Sequence, residues 1–89
     1  MLFRSAFTTI DPPGSTATDL FGIDDNGELT GYYFTDQAHG FVRAAEGTYT
    51  TFDPRKSAGT DPQAINSKAA VTGFYDDINF RNHGFLRTP

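Results

Sequence analysis

The sequence predicts an all-β chain made of two four-stranded antiparallel sheets. Three observations predict it. The chain repeats itself, each copy holds four short runs rich in aromatic and β-branched residues, and no stretch carries a sustained helical period with caps.

The repetition is ordered. Phe7-Thr8-Thr9-Ile10-Asp11-Pro12 returns as Tyr49-Thr50-Thr51-Phe52-Asp53-Pro54, 42 positions later. The same offset aligns Thr18-Asp19 with Thr60-Asp61, Ile23 with Ile65, and Leu29-Thr30-Gly31-Tyr32-Tyr33 with Val71-Thr72-Gly73-Phe74-Tyr75. His39-Gly40-Phe41-Val42-Arg43 then returns as His83-Gly84-Phe85-Leu86-Arg87, 44 positions later. The two extra residues fall between Asp76 and Asn82, which marks that stretch as a loop, the place where insertions are tolerated. Residues 1–89 are thus one unit of two tandem copies, about 7–47 and 49–89.

In the first copy the run Phe7–Asp11 is β-branched and aromatic and ends at Pro12-Pro13-Gly14, a strong breaker. Thr18–Asp24 is the second run, and Asp24-Asp25-Asn26-Gly27 is a hairpin signal leading to the third, Glu28–Phe34. Positive φ is expected at Asn26-Gly27. His39–Ala44 is the fourth run, closed by a turn at Glu46-Gly47. The second copy gives Tyr49–Asp53, Asp61–Asn66, Ala70–Tyr75 and His83–Arg87. Gly31 and Gly73 fall inside strands, where glycine costs stability, so a neighbouring sheet or ring is expected to approach there.

Composition narrows the function. The chain is 37% hydrophobic, and no run approaches the 18 or so apolar residues of a membrane span. Net charge is −4 and the seven Lys and Arg are scattered, so no basic stripe offers itself to nucleic acid or an anionic membrane. No cysteine is present, which removes zinc ribbons, thiol catalysis and disulfide scaffolds. Met1-Leu2-Phe3-Arg4-Ser5 lacks the apolar stretch of a signal peptide, and Leu2-Phe3-Arg4 echoes Phe41-Val42-Arg43, either as a spare edge strand or as the relic of a preceding repeat.

Four antiparallel strands in 42–44 residues is the size of one β-propeller blade. A lone sheet cannot cover both its faces, so blades must stack. Two blades leave two different end faces bare, and their contact is head-to-tail. The chain is expected to be a homo-oligomer. Three copies give six blades and four give eight, both inside the usual range of about 4–8; the trimer is favoured.

Phe7-Thr8-Thr9-Ile10-Asp11-Pro12-Pro13-Gly14, Gly22-Ile23-Asp24-Asp25-Asn26-Gly27, Thr30-Gly31-Tyr32-Tyr33 and His39-Gly40-Phe41, in that order and nearly all twice, resemble the HAF family of extracellular bacterial repeats. The resemblance covers Phe7 to Leu86. It implies a β-propeller-like, non-catalytic extracellular module and no defined substrate. The second copy departs from the pattern, with Ala69 at the hairpin glycine and Arg55-Lys56 at Pro13-Gly14.

Candidate chemistry is sparse. His39 and His83 stand 44 residues apart with no companion His or Cys, so they read as structural and not as metal ligands. Asp24, Asn26 and Glu28 are replaced by Asn66, Lys68 and Ala70, which excludes a repeated calcium site. Asp11 and Asp53 read as turn carboxylates, and no serine has the flanking glycines of a nucleophile elbow, so no catalytic residue and no cofactor are expected. The remaining candidates are rings. Tyr32 and Phe74 share one face of equivalent strands, and Tyr33 and Tyr75 the other. One pair is expected to fill the space between blades and the other to stack on a sugar, with Arg43, Arg87, Asp36 or Asp77 supplying polar contacts; the competing reading packs all four rings between blades. The expected function is a binding or scaffold module, with glycan the favoured small ligand; the alternative is a purely structural repeat fragment of a larger extracellular propeller with no small ligand.

Overall fold

The computed structural model describes residues 5–89. Its strands are β1 (Ala17–Ile23), β2 (Leu29–Phe34), β3 (Ala38–Arg43), β4 (Tyr49–Phe52), β5 (Ser57–Ile65), β6 (Val71–Asp77) and β7 (Asn82–Arg87). They form two antiparallel sheets, β1-β2-β3-β4 and β5-β6-β7, and no helix is present among the described residues. The all-β expectation holds. The expectation of two four-stranded sheets does not, because the second sheet has three strands.

The difference lies at Phe7–Asp11, which forms no strand. Its counterpart 42 residues on is β4, and β4 pairs with the strand before it, in the register Gly40↔Phe52, Phe41↔Thr51, Val42↔Thr50 and Arg43↔Tyr49. The first sheet is therefore offset from the sequence copy: it takes its last strand from the start of the second copy. Among the described residues Phe7–Asp11 pairs with no strand, and β7 pairs with β6 alone. The reading of Leu2-Phe3-Arg4 as an edge strand lies outside the described residues.

The sheets stack because small residues let them approach. β5 lies across the face of β1, β2 and β3. A Cβ on Gly22 would stand 3.3 Å from Ile65 Cγ2, and one on Gly40 would stand 2.7 Å from the Phe52 ring and 3.0 Å from Thr60 Cγ2. Phe85 meets Phe52 edge-on across the same seam, with ring centres 5.9 Å apart. Phe41 and Val71 are completely buried, as are Thr30 and Thr60. The Thr30 hydroxyl donates to the Phe41 carbonyl at 2.8 Å, which removes the cost of enclosing it.

Gly31 and Gly73 answer to a different neighbour from the one expected. β1 and β5 are bulged opposite them, with the register shifting between Leu20 and Gly22 and between Pro62 and Ala64. A bulge bends its strand. Here the bend lays backbone onto the partner glycine: a Cβ on Gly31 would run into the Asp19 carbonyl, and one on Gly73 into the Asp61 carbonyl. The close approach comes from the adjacent strand of the same sheet, not from a neighbouring sheet or ring.

Three of the hairpin turns share one construction. Asp24 Oδ1 accepts from the backbone N–H of Asn26 and Glu28, Asn66 Oδ1 from Lys68 and Ala70, and Asp77 Oδ1 from Asn79 and Arg81, all at 2.8–3.1 Å. Three residues past each side-chain acceptor comes a left-handed residue: Gly27 at φ 78°, Ala69 at 60° and Phe80 at 63°. This is a three-residue connection with one left-handed position. Positive φ at Asn26 is not found; only Gly27 adopts it. Ala69 and Phe80 hold a conformation that costs an L-residue roughly 1–2 kcal/mol, and the side-chain cap of each turn offsets it. Lys56, at φ 63°, likewise keeps the conformation of Gly14 at 81°.

Candidate ligand-binding site

The six residues singled out from sequence divide sharply. Tyr33 is buried, its ring 5.9 Å from Phe41 and 5.4 Å from His39, and its hydroxyl lies 2.9 Å from Thr51 Oγ1. Tyr75 packs correspondingly on His83, at 5.1 Å, and Phe85, at 6.5 Å. Arg87 lies over the Phe52 ring, 5.1 Å from its centre. Arg43 is half-buried with its Nε enclosed. These four are engaged in packing. Tyr32 and Phe74 remain on the opposite face, and among the described residues only Tyr32 has ring neighbours.

Tyr32 sits in a ring cluster that alternation alone half reveals. Phe34 is two residues on and therefore on the same face, meeting Tyr32 edge-on at 5.5 Å. Phe21, the extra residue of the β1 bulge, stacks on Tyr32 at 5.5 Å with planes 29° apart. Phe21 and Phe34 are exposed and Tyr32 is half-buried, so the three rings form a ridge facing solvent. Two carboxylates border it. Asp19 holds the Tyr32 hydroxyl above its ordinary pKa, and burial with the Asp19 charge raises that of Asp61. At the positions 42 residues on stand Gln63, Phe74 and Asp76, so the second sheet has one ring where the first has three.

The histidines hold strands together. His39 Nδ1 bonds Asp53 Oδ2 at 2.7 Å, and its Nε2 lies 2.9 Å from Thr35 Oγ1. Asp53 Oδ1 accepts from the buried Thr60 hydroxyl at 2.7 Å. One carboxylate thus ties β3 to the start of β5. His83 instead turns its Nε2 to Asp77 Oδ2 at 2.9 Å. Among the described residues no group of three or more His, Asp or Glu could hold a metal ion.

Asp77 carries a testable electrostatic signature. The His83 hydrogen bond, with the N–H groups of Arg81 and Asn79, draws its carboxyl down to about 2. A depressed folded-state pKa stabilises above the unfolded value of about 3.9, and the contribution disappears as pH falls toward the folded value. The window is therefore about pH 4 down to pH 2. Carboxyl NMR titration is expected to place the Asp77 midpoint near 2, and His83→Ala to move it upward; an unmoved midpoint would refute the assigned cause.

Comparison with protein families, with characterised proteins and with solved structures finds no match to this chain.

Proposed function

We propose that the chain is a non-catalytic binding and scaffold module of the β-propeller type, its two sheets being consecutive blades, and that the Phe21–Tyr32–Phe34 ridge takes a glycan. The observation that carries the ligand reading is the ridge itself: two rings stacked at 5.5 Å and left open to water. Ring faces offer an apolar platform to the C–H face of a sugar, and Asp19 and Asp61 are acceptors for its hydroxyls. Binding of this kind uses no bond-making group, in keeping with the histidines serving as strand ties.

A glycan array followed by titration tests the reading. A saccharide bound by the chain is expected to lose at least tenfold in affinity to Phe21→Ala or Tyr32→Ala, and little to Phe74→Ala. Undiminished binding by the Phe21 and Tyr32 variants overturns the assignment. The alternative, a structural repeat with no small ligand, is favoured by the single copy of the ridge and by the packing roles of Tyr33, Tyr75, Arg43 and Arg87. An array with no bound saccharide selects it.

A further inference from the structure

We propose that Phe7–Ile10 of a second copy of this chain is the missing fourth strand of sheet β5-β6-β7, pairing with β7, and that Asp11 of that copy bonds His83. The inference rests on the reading of the two sheets as consecutive blades and is independent of any glycan.

Every part of the joint exists once, complete, inside the chain, and once more divided between its two ends. The complete joint is β3 with β4: Tyr49–Phe52 paired along Gly40–Arg43, Asp53 bonded to His39 and Thr60, and the Tyr33 hydroxyl on Thr51. At the far end the acceptor half stands open. Gly84, Phe85, Leu86 and Arg87 correspond to Gly40, Phe41, Val42 and Arg43. Leu86 is 67% exposed where Val42 is 7%. Phe85 is half-buried where Phe41 is fully enclosed. A Cβ on Gly40 would strike Phe52, yet one on Gly84 would meet nothing nearer than 3.9 Å. Among the described residues no neighbour requires glycine at position 84.

The donor half is at the near end. Phe7–Ile10 makes no backbone hydrogen bond to another described residue, and Phe7 is 95% exposed. Yet the segment is already held as β4 is held: Thr18 donates to Asp11 Oδ1 at 2.9 Å, as Thr60 donates to Asp53 Oδ1 at 2.7 Å. The other oxygen of Asp53 takes His39. In the joint between copies Asp11 takes His83, of which Nε2 alone is engaged among the described residues, by Asp77. The register follows from the inner joint: Gly84↔Ile10, Phe85↔Thr9, Leu86↔Thr8 and Arg87↔Phe7.

A second surface agrees. On the bare face of the three-stranded sheet, a hollow of about 160 Å³ is lined by Ala64, Ile65, Asn66, Ala70, Thr72 and Leu86. The same place on the first sheet, by Gly22 and Thr30, is filled by Ile65. Its counterpart Ile23 is exposed, so Ile23 of the incoming copy fills the hollow. Within one chain the two halves stand unjoined: β7 pairs with β6 alone among the described strands, and Phe7–Ile10 enters neither sheet. Strand addition of this kind satisfies an edge that would otherwise invite indiscriminate pairing.

Two experiments test the joint. The chain has no cysteine, so Thr8→Cys and Leu86→Cys chains, mixed and mildly oxidised, report the pairing directly. Disulfides joining position 8 to position 86 are expected in large excess over 8–8 and 86–86 products; a statistical mixture, with both variants folded by circular dichroism, overturns the proposal. Gly84→Val gives the second readout. The lone chain has room for the side chain, whereas Ile10 of a second copy would not admit it. Light scattering is expected to show the unaltered chain as an assembly of several 9.7 kDa copies and G84V as a folded monomer. A monomeric unaltered chain at micromolar concentration, or G84V assembling like it, sinks the joint and leaves the glycan reading standing.

Discussion

Gly73→Ala is expected to destabilise the chain by roughly 3 kcal/mol or more, at the upper end of what overpacking does, and Gly31→Ala to do the same. The added methyl has no flexible neighbour to displace. It meets the Asp61 carbonyl and Pro62 Cα in one strand and the Asp19 carbonyl in the other, and both are backbone locked in a sheet. Relief requires undoing the bulge, which would throw the rest of β1 or β5 onto the wrong face. In a domain of this size 1 kcal/mol moves the melting temperature by about 4–8 °C, so a fall of roughly 12 °C or more is expected by calorimetry. Gly84→Ala, by contrast, leaves the isolated chain unchanged. Equal melting temperatures for G73A and the unaltered chain would show that the bulge is not where the structure puts it.

Phe41→Ala is the second large effect, about 3–5 kcal/mol. Phe41 has no exposed surface and touches Tyr33 and Tyr49 edge-on, each at 5.9 Å. Its removal leaves a cavity that sheet pairing on both sides prevents from collapsing. Phe85→Ala provides the comparison. Phe85 is only half-buried in the single chain, so its loss is smaller there and approaches that of Phe41 when copies join. Denaturant titration at two protein concentrations separates the cases. A Phe41→Ala loss below about 1 kcal/mol would contradict the burial.

The residues that made the fold legible were those whose chemistry is local. Asp24 to Gly27 announced a hairpin, and ring-rich runs between breakers announced strands, because both depend on neighbours along the chain. The number of strands in the second sheet depends on a partner far away. Phe7–Asp11 has the composition of a strand and pairs with nothing among the described residues of one chain. Turn type was hidden for a similar reason: three hairpins keep one left-handed residue whether it is Gly27, Ala69 or Phe80, so the side-chain cap at the start of each turn governs more than the glycine. Gly31 and Gly73 were visible as anomalies, but their cause was not, since a bulge in the opposite strand leaves no mark at the glycine. Of the candidate rings, Tyr32 was found and its neighbour Phe21 was missed. Simple alternation fails at the one residue that breaks it. The early start of β5, at Ser57 and not near Asp61, followed from another register shift, between Ser57 and Gly59.

The offset between copy and sheet has a consequence for cooperativity. β4 completes the first sheet, and the residue that follows it, Asp53, anchors Thr60 at the heart of the second. Peeling β4 away strips His39 and Thr60 of their common acceptor in one event, and the second sheet loses the surface on which Phe85 rests. Neither sheet can melt while the other keeps its full set of bonds. The chain should therefore unfold in a single transition, with no half-folded state carrying one intact sheet, and amide exchange in β2 and β6 should report one opening free energy instead of two.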